Sequence, residues 1–187
     1  MSEQSPMMQG EDVITILLKQ HERVKGLMAE IHTADGEHKR QTFDELRALL
    51  AAHETAEEMV LRPVSRSAGN EQVAQARNAE EDEATHVLAE LEKLDVASAD
   101  FDAMFAGFER AVLQHSEREE LEEFPQVQAN TSADKRASMG KALLAAERIA
   151  PTHPHPGAAG STTAQWTIGP FASLVDRARD AISKATS

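Results

Sequence analysis

The chain has no cysteine, no tyrosine and one tryptophan, and aromatics make up only 4% of its 187 residues. Without thiols there is no route to a disulfide, an iron–sulfur cluster or a thiolate zinc site. Histidine and carboxylate are the strong metal ligands left. Strand formers are sparse, while Ala, Leu, Glu, Lys, Arg and Met abound, which is the composition of an all-α protein. Long apolar runs are missing too. The stretch from Val13 to Leu18 is too short and too close to charge for a signal peptide or membrane span, so the expected compartment is the cytoplasm. Finally, there is no basic cluster. With 19 basic against 32 acidic residues and a net charge of -13, no face gathers the Lys and Arg that phosphate neutralisation needs. Nucleic acid and membrane surfaces are therefore excluded as expected partners.

What the chain does have is helical periodicity. Hydrophobic residues are 41% of the total, enough for a sizeable core. Ile14, Leu17, His21, Val24, Met28 and Ile31 fall at alternating steps of three and four, the spacing of a helical bundle seam. Phe43, Leu46, Leu50, His53 and Glu57 repeat it, as do Phe101, Phe105, Phe108, Val112, His115 and Glu119. A less regular series through Val73, Ala76, Glu80, Glu83, Val87, Leu91 and Leu94 predicts a helix over about 71–94, with His86 beside its line. Gly36 breaks the first helix, and Thr42 with Glu45 forms a capping box for the second, which is expected to start there or a turn earlier and to end near Pro63. Pro125 closes the fourth helix or lies just beyond it. Short connections give an up-down-up-down four-helix bundle over residues 11–128, after a loose segment at 1–10. A C-terminal helical extension follows: an additional helix within 129–150, a Pro/Gly/Ser/Thr linker at 151–169 and a docking helix at 170–187.

Two segments read alike. His53-Glu54-Thr55-Ala56-Glu57-Glu58 runs on to Pro63, and His115-Ser116-Glu117-Arg118-Glu119-Glu120 runs on to Pro125. Residues four apart stack on one helical face, so each segment offers an imidazole and a carboxylate to one point. Buried carboxylates must be paired or metal-bound. His21, His53, His86 and His115 each lie roughly ten to fifteen residues from a turn, about 15–22 Å along the axis, and therefore converge in one layer. The expected ligand set is His21, His53, Glu57, His86, His115 and Glu119. Such donors suit iron, manganese or zinc rather than calcium or magnesium. Glu58 and Glu120 are candidates for supporting or alternative roles. Glu83, three residues before His86, is an alternative ligand of the Glu-x-x-His kind.

At these residues the sequence resembles the hemerythrin-like, or HHE cation-binding, family, in its bacterial branch with a C-terminal extension. The resemblance spans roughly residues 11–128. It rests on the order and spacing of the histidines, the two His-x-x-x-Glu pairs and their following prolines. It implies a non-haem centre of two iron ions, carboxylate-bridged by Glu57 and Glu119 and oxo- or hydroxo-bridged. The chain departs from the oxygen-carrier branch, because Asp82 and Glu90 stand four residues either side of His86 where that branch has a second histidine. Its last carboxylate, Glu119, comes four residues after the histidine rather than five. The extra open position implies reaction with hydrogen peroxide or a related small oxidant (dioxygen, nitric oxide), as a catalase-like oxidoreductase with an oxidative-stress role. The alternative is a sensor or carrier of dioxygen, nitric oxide or iron without turnover.

Overall fold

The computed structural model describes residues 11–148, apart from positions 68 and 70. The segments expected at 1–10, 151–169 and 170–187 lie outside the described residues. Helices α1 (Val13–Thr33), α2 (Gly36–Ser67), α3 (Glu71–Leu91) and α4 (Ala99–Arg118) are followed by a π-helical turn (Glu119–Glu123), α5 (Phe124–Asn130) and α6 (Ala133–Glu147). Helix α1 packs on α2, α2 on α3, α3 on α4 and α4 on α1, closing an up-down-up-down ring.

Local chemistry sets the helix starts. Asp12 caps α1 by accepting from the Ile14 N–H at 2.9 Å. Ser98 caps α4 through Phe101 N–H at 3.1 Å, and Ser132 caps α6 through Lys135 N–H at 3.2 Å. These side-chain oxygens satisfy amides that lack an intrahelical partner. The α1–α2 turn needs only Ala34 and Asp35, because Gly36 adopts φ +48°, a conformation disfavoured for side-chain-bearing residues. Helix α2 therefore starts at Gly36, earlier than the Thr42 capping box suggests. Thr42 lies inside it and donates to the His38 carbonyl at 3.0 Å. At its other end α2 runs through Pro63 to Ser67. Burial of Val60, Leu61, Arg62 and Ser65 outweighs the penalty of an internal proline, about 3 kcal/mol.

The core is two apolar blocks with a polar layer between them. One block holds Phe43, Leu46, Leu88, Leu91, Phe101, Phe105 and Phe108. Four of the chain's six phenylalanines are here, with rings such as Phe43 and Phe101 packed edge to face at 5.1 Å. The other block joins Val13, Leu17, Val60 and Leu61 to Phe124, Val127, Met139 and Leu143. Helix α6 therefore seals this end against α1 and α2. The Arg136 Nε–Asp12 Oδ2 pair at 2.6 Å ties α6 to the cap of α1. The approach is close at Gly140, where a Cβ would overlap the Glu11 carbonyl oxygen and lie 3.1 Å from Ile16 Cδ1. Gly140→Ala is expected to destabilise despite its better helix propensity, by about 1–3 kcal/mol of overpacking. A thermal melt should show a Tm lower by about 2–12 °C. An unchanged or higher Tm would contradict this packing.

Candidate metal centre

The polar layer is where the three clean seams substitute His and Glu for aliphatics. His21 from α1, His53 and Glu57 from α2, and Glu119 from the π-helical turn are all buried, with Glu57 and Glu119 fully so. His115 of α4 is 12% exposed. Two groups of donors are close enough to hold a metal ion: His21, His53, Glu57 and Glu119, and Glu57, Glu81, His115 and Glu119. Within each, one donor atom per residue lies within 4.8 Å of all the others. Glu57 and Glu119 belong to both. Glu119 presents Oε2 to His21 Nε2 at 3.4 Å and Oε1 to His115 Nε2 at 3.2 Å, one oxygen toward each group.

Each histidine is aimed by a hydrogen bond on its outer nitrogen. Nδ1 of His21 meets Glu120 Oε1 at 2.8 Å, that of His53 meets Gln20 Oε1 at 2.7 Å, and that of His115 meets Glu80 Oε2 at 3.0 Å. All three acceptors are oxygens, so Nδ1 donates and Nε2 turns inward. This arrangement orients metal-binding imidazoles and sets their tautomer. Among the described residues, the buried polar atoms without a hydrogen-bond partner include His21 Nε2, His115 Nε2, Glu57 Oε1 and Glu119 Oε2. Buried polar atoms are rarely left unmatched. Their clustering in the two donor groups fits cations that the donors would share.

The electrostatics agree. Burial, with His21 beside it, lowers the His53 pKa to about 3, which leaves the imidazole neutral. Burial and the neighbouring Glu119 push Glu57 well above the ordinary carboxyl range. Burial also acts to raise Glu119, but His115, His21 and Arg62 overcome it and hold that carboxyl well below. Glu54, next to His53, is pushed up to about 8 by burial and then by Glu81. It lines a small cavity of about 20 Å³ together with His21, His53, Glu81 and His115. Val24, Leu50, Ala84 and Val112 form the apolar side.

The structure brings five of the six expected ligands together and leaves out His86. That side chain is 57% exposed, and its Nδ1 donates to the Asp82 carbonyl at 2.7 Å. Glu81 occupies the inward position instead, 5% exposed. The buried stripe of α3 is Ala74, Arg77, Asn78, Glu81, Ala84, Thr85, Leu88 and Leu91, offset from the Val73–Glu80–Glu83–Val87 line expected from sequence. Five residues turn a helix by about 140° beyond one revolution, so His86 cannot share the face of Glu81. Glu83 is exposed as well, Glu58 is half-buried, and Glu120 supports His21. Glu81 was legible from the Ala84, Leu88 and Leu91 spacing, had those residues alone set the register.

Arg62 and Glu123 also escaped sequence reasoning. Both are fully buried, and Arg62 faces Glu57, Glu81, Glu119 and Glu123. The π-helical turn helps to make this possible. Pro125 cannot donate to the Leu121 carbonyl and would press on it in an α-helix. In the widened turn the Phe124 N–H bonds to the Glu119 carbonyl, and Glu119 and Glu123 both face inward. Such turns recur at functional sites.

The family model described as Hemerythrin HHE cation binding domain matches residues 12–127. An uncharacterized hemerythrin-like protein of Schizosaccharomyces pombe is 23% identical over 138 residues, covering 72% of this chain and 68% of the relative. The crystal structure of a hemerythrin HHE cation binding domain-containing protein from Mycobacterium kansasii superposes with a TM-score of 0.65 at 19% identity. The match covers 94% of this chain and 99% of that one.

Proposed function

Because the chain belongs to the hemerythrin HHE cation-binding family, we propose that its polar layer holds two iron ions and reacts with hydrogen peroxide or a related small oxidant. The observation that carries this reading is Glu119, buried between two histidines with one carboxylate oxygen toward each. In this reading His21, His53, Glu57 and Glu119 hold one ion, and Glu57, Glu81, His115 and Glu119 hold the other. Nitrogen and carboxylate donors of this kind suit iron. When bound, a pair of iron ions supplies Lewis acidity and one-electron redox chemistry at the head of the cavity.

The protein's own groups do the rest. Glu120, Gln20 and Glu80 keep the three imidazoles in the tautomer whose Nε2 lone pair points inward. The aliphatic wall keeps bulk water away, which strengthens every charge interaction inside. The cavity holds about one water-sized molecule and favours compact ligands over organic hydroperoxides. Glu54 faces it with Oε2 accepting from Thr85 Oγ1 at 3.1 Å, which leaves Oε1 to carry a proton toward the cavity.

The test is peroxide consumption. Iron-loaded protein is expected to remove hydrogen peroxide at least about tenfold faster than a His53→Ala variant treated the same way, since even outer-residue changes at metal sites cost about 10–100-fold. Equal rates would end the reading. Reversible bleaching on degassing, without net peroxide loss, would point to a carrier or sensor instead.

A further inference from the structure

Arg62 reaches every carboxylate of one candidate position, that of His115, and only the shared carboxylates of the other. Its Nη2 contacts Glu81 Oε1 closely, Glu119 Oε1 at 2.6 Å and Glu57 Oε2 at 3.4 Å. These are the three carboxylates of the His115 group. Glu81 belongs to that group alone, while Glu57 and Glu119 are common to both. A cation bonded to Glu81 and Glu119 would lie about 2 Å from each oxygen. That is the region toward which Nη2 is already directed, and the two charges cannot share it.

The side chain also has somewhere to go. Nη1 is paired with Glu123 Oε2, and Glu123 lies in neither donor group. The second oxygen of that carboxylate, Oε1, is buried and has no hydrogen-bond partner. A small rotation of the guanidinium onto Glu123 would exchange three single contacts for a two-pronged carboxylate pair, the strongest arrangement an arginine makes. Burial makes the exchange necessary. Four carboxylates enclosed with too little positive charge are costly, so a cation must stand among them before a metal arrives, and a charged arginine must keep a partner afterwards.

Resting on the metal reading above, we propose that Arg62 is a resident cation that makes the two ions enter in order. The first is taken at the His21–His53 position. The second enters at the Glu81–His115 position as Arg62 Nη2 moves onto Glu123. Arg62 is thus a positioning residue that sets how tightly, and when, the second ion is held.

The experiment is a cobalt(II) titration of the metal-free full chain, followed by calorimetry and by the cobalt visible spectrum, so that no redox chemistry is involved. Wild-type protein should take up two equivalents in resolved steps, and His115→Ala should lose only the weaker one. Arg62→Gln should tighten the second step by roughly tenfold, within the range of ordinary site coupling, and leave the first nearly unchanged. Glu123→Gln should weaken the second step further, because the guanidinium then has no carboxylate to move to. A second step that is unchanged or weaker in Arg62→Gln would overturn the proposal, as would two indistinguishable steps in the wild type. Should Arg62→Gln fold only with metal present, the loaded variant is challenged with a chelator. Slower release of the second equivalent than from wild type supports the proposal, and equal or faster release overturns it. No cobalt uptake by wild type would remove the dinuclear reading itself, and this inference with it.

Discussion

Glu119→Gln is expected to lose both metal ions, not one. Glu119 is held well below the ordinary carboxyl range by His115, His21 and Arg62, is fully buried and offers one oxygen to each donor group. Glutamine keeps the shape but removes the charge, and it turns one of those oxygens into an N–H donor. One position then faces an N–H donor and the other only a neutral carbonyl oxygen, where both had a carboxylate. Substituting an outer hydrogen-bond partner of a metal ligand costs about 10–100-fold in affinity, and a shared ligand should exceed that. Metal analysis after loading and desalting should give close to none, against about two equivalents for wild type. In the metal-free protein Arg62 keeps Glu57, Glu81 and Glu123, and His115 keeps Glu80 and Glu81, so the stability cost should stay below the about 3–5 kcal/mol of leaving a buried charge unpaired. Denaturant unfolding reads that second effect separately. Retention of both equivalents would remove the case for a shared site.

Glu81→Gln and His86→Ala form the second decisive comparison. Glu81 belongs to the His115 group alone, so its substitution should halve the bound metal and spare the His21–His53 position. His86 is exposed and bonds only within its own helix among the contacts seen, so its removal should leave metal content unchanged and stability within about 0.5 kcal/mol of wild type. The opposite pattern, with His86→Ala losing metal and Glu81→Gln silent, would mean that α3 is rotated by more than a third of a turn from the orientation described above. The pair therefore tests the register of one helix, which is the point on which sequence and structure disagree.

The disagreement has a physical origin. Helices α1, α2 and α4 carry unbroken aliphatic or aromatic seams; in α1 and α2 the histidine falls on the buried stripe that the seam predicts, and in α4 His115 is mostly buried at its edge. The inward face of α3 is Arg77, Asn78, Glu81 and Thr85 over much of its length. Hydrophobic periodicity cannot locate a polar face, and one residue of error turns a helix by about 100°. Glu81 is held inward by Arg62 and His115, which come from elsewhere in the chain. The same holds for Glu123, whose partner lies 61 residues away.

The chain's local order was thus sufficient for the all-α bundle, its main helices and the two His-x-x-x-Glu half-sites, because 3.6-residue periodicity and i, i+4 stacking act within a single helix. Packing between helices decided the rest: which face of α3 looks inward, the reach of Arg62 into the carboxylates, the π-helical turn that presents Glu119 and Glu123 together, and the closure of the lower core by α6. Rotation about a helix axis costs the isolated helix almost nothing. Only burial against its neighbours, and the need to match each buried charge, selects one orientation.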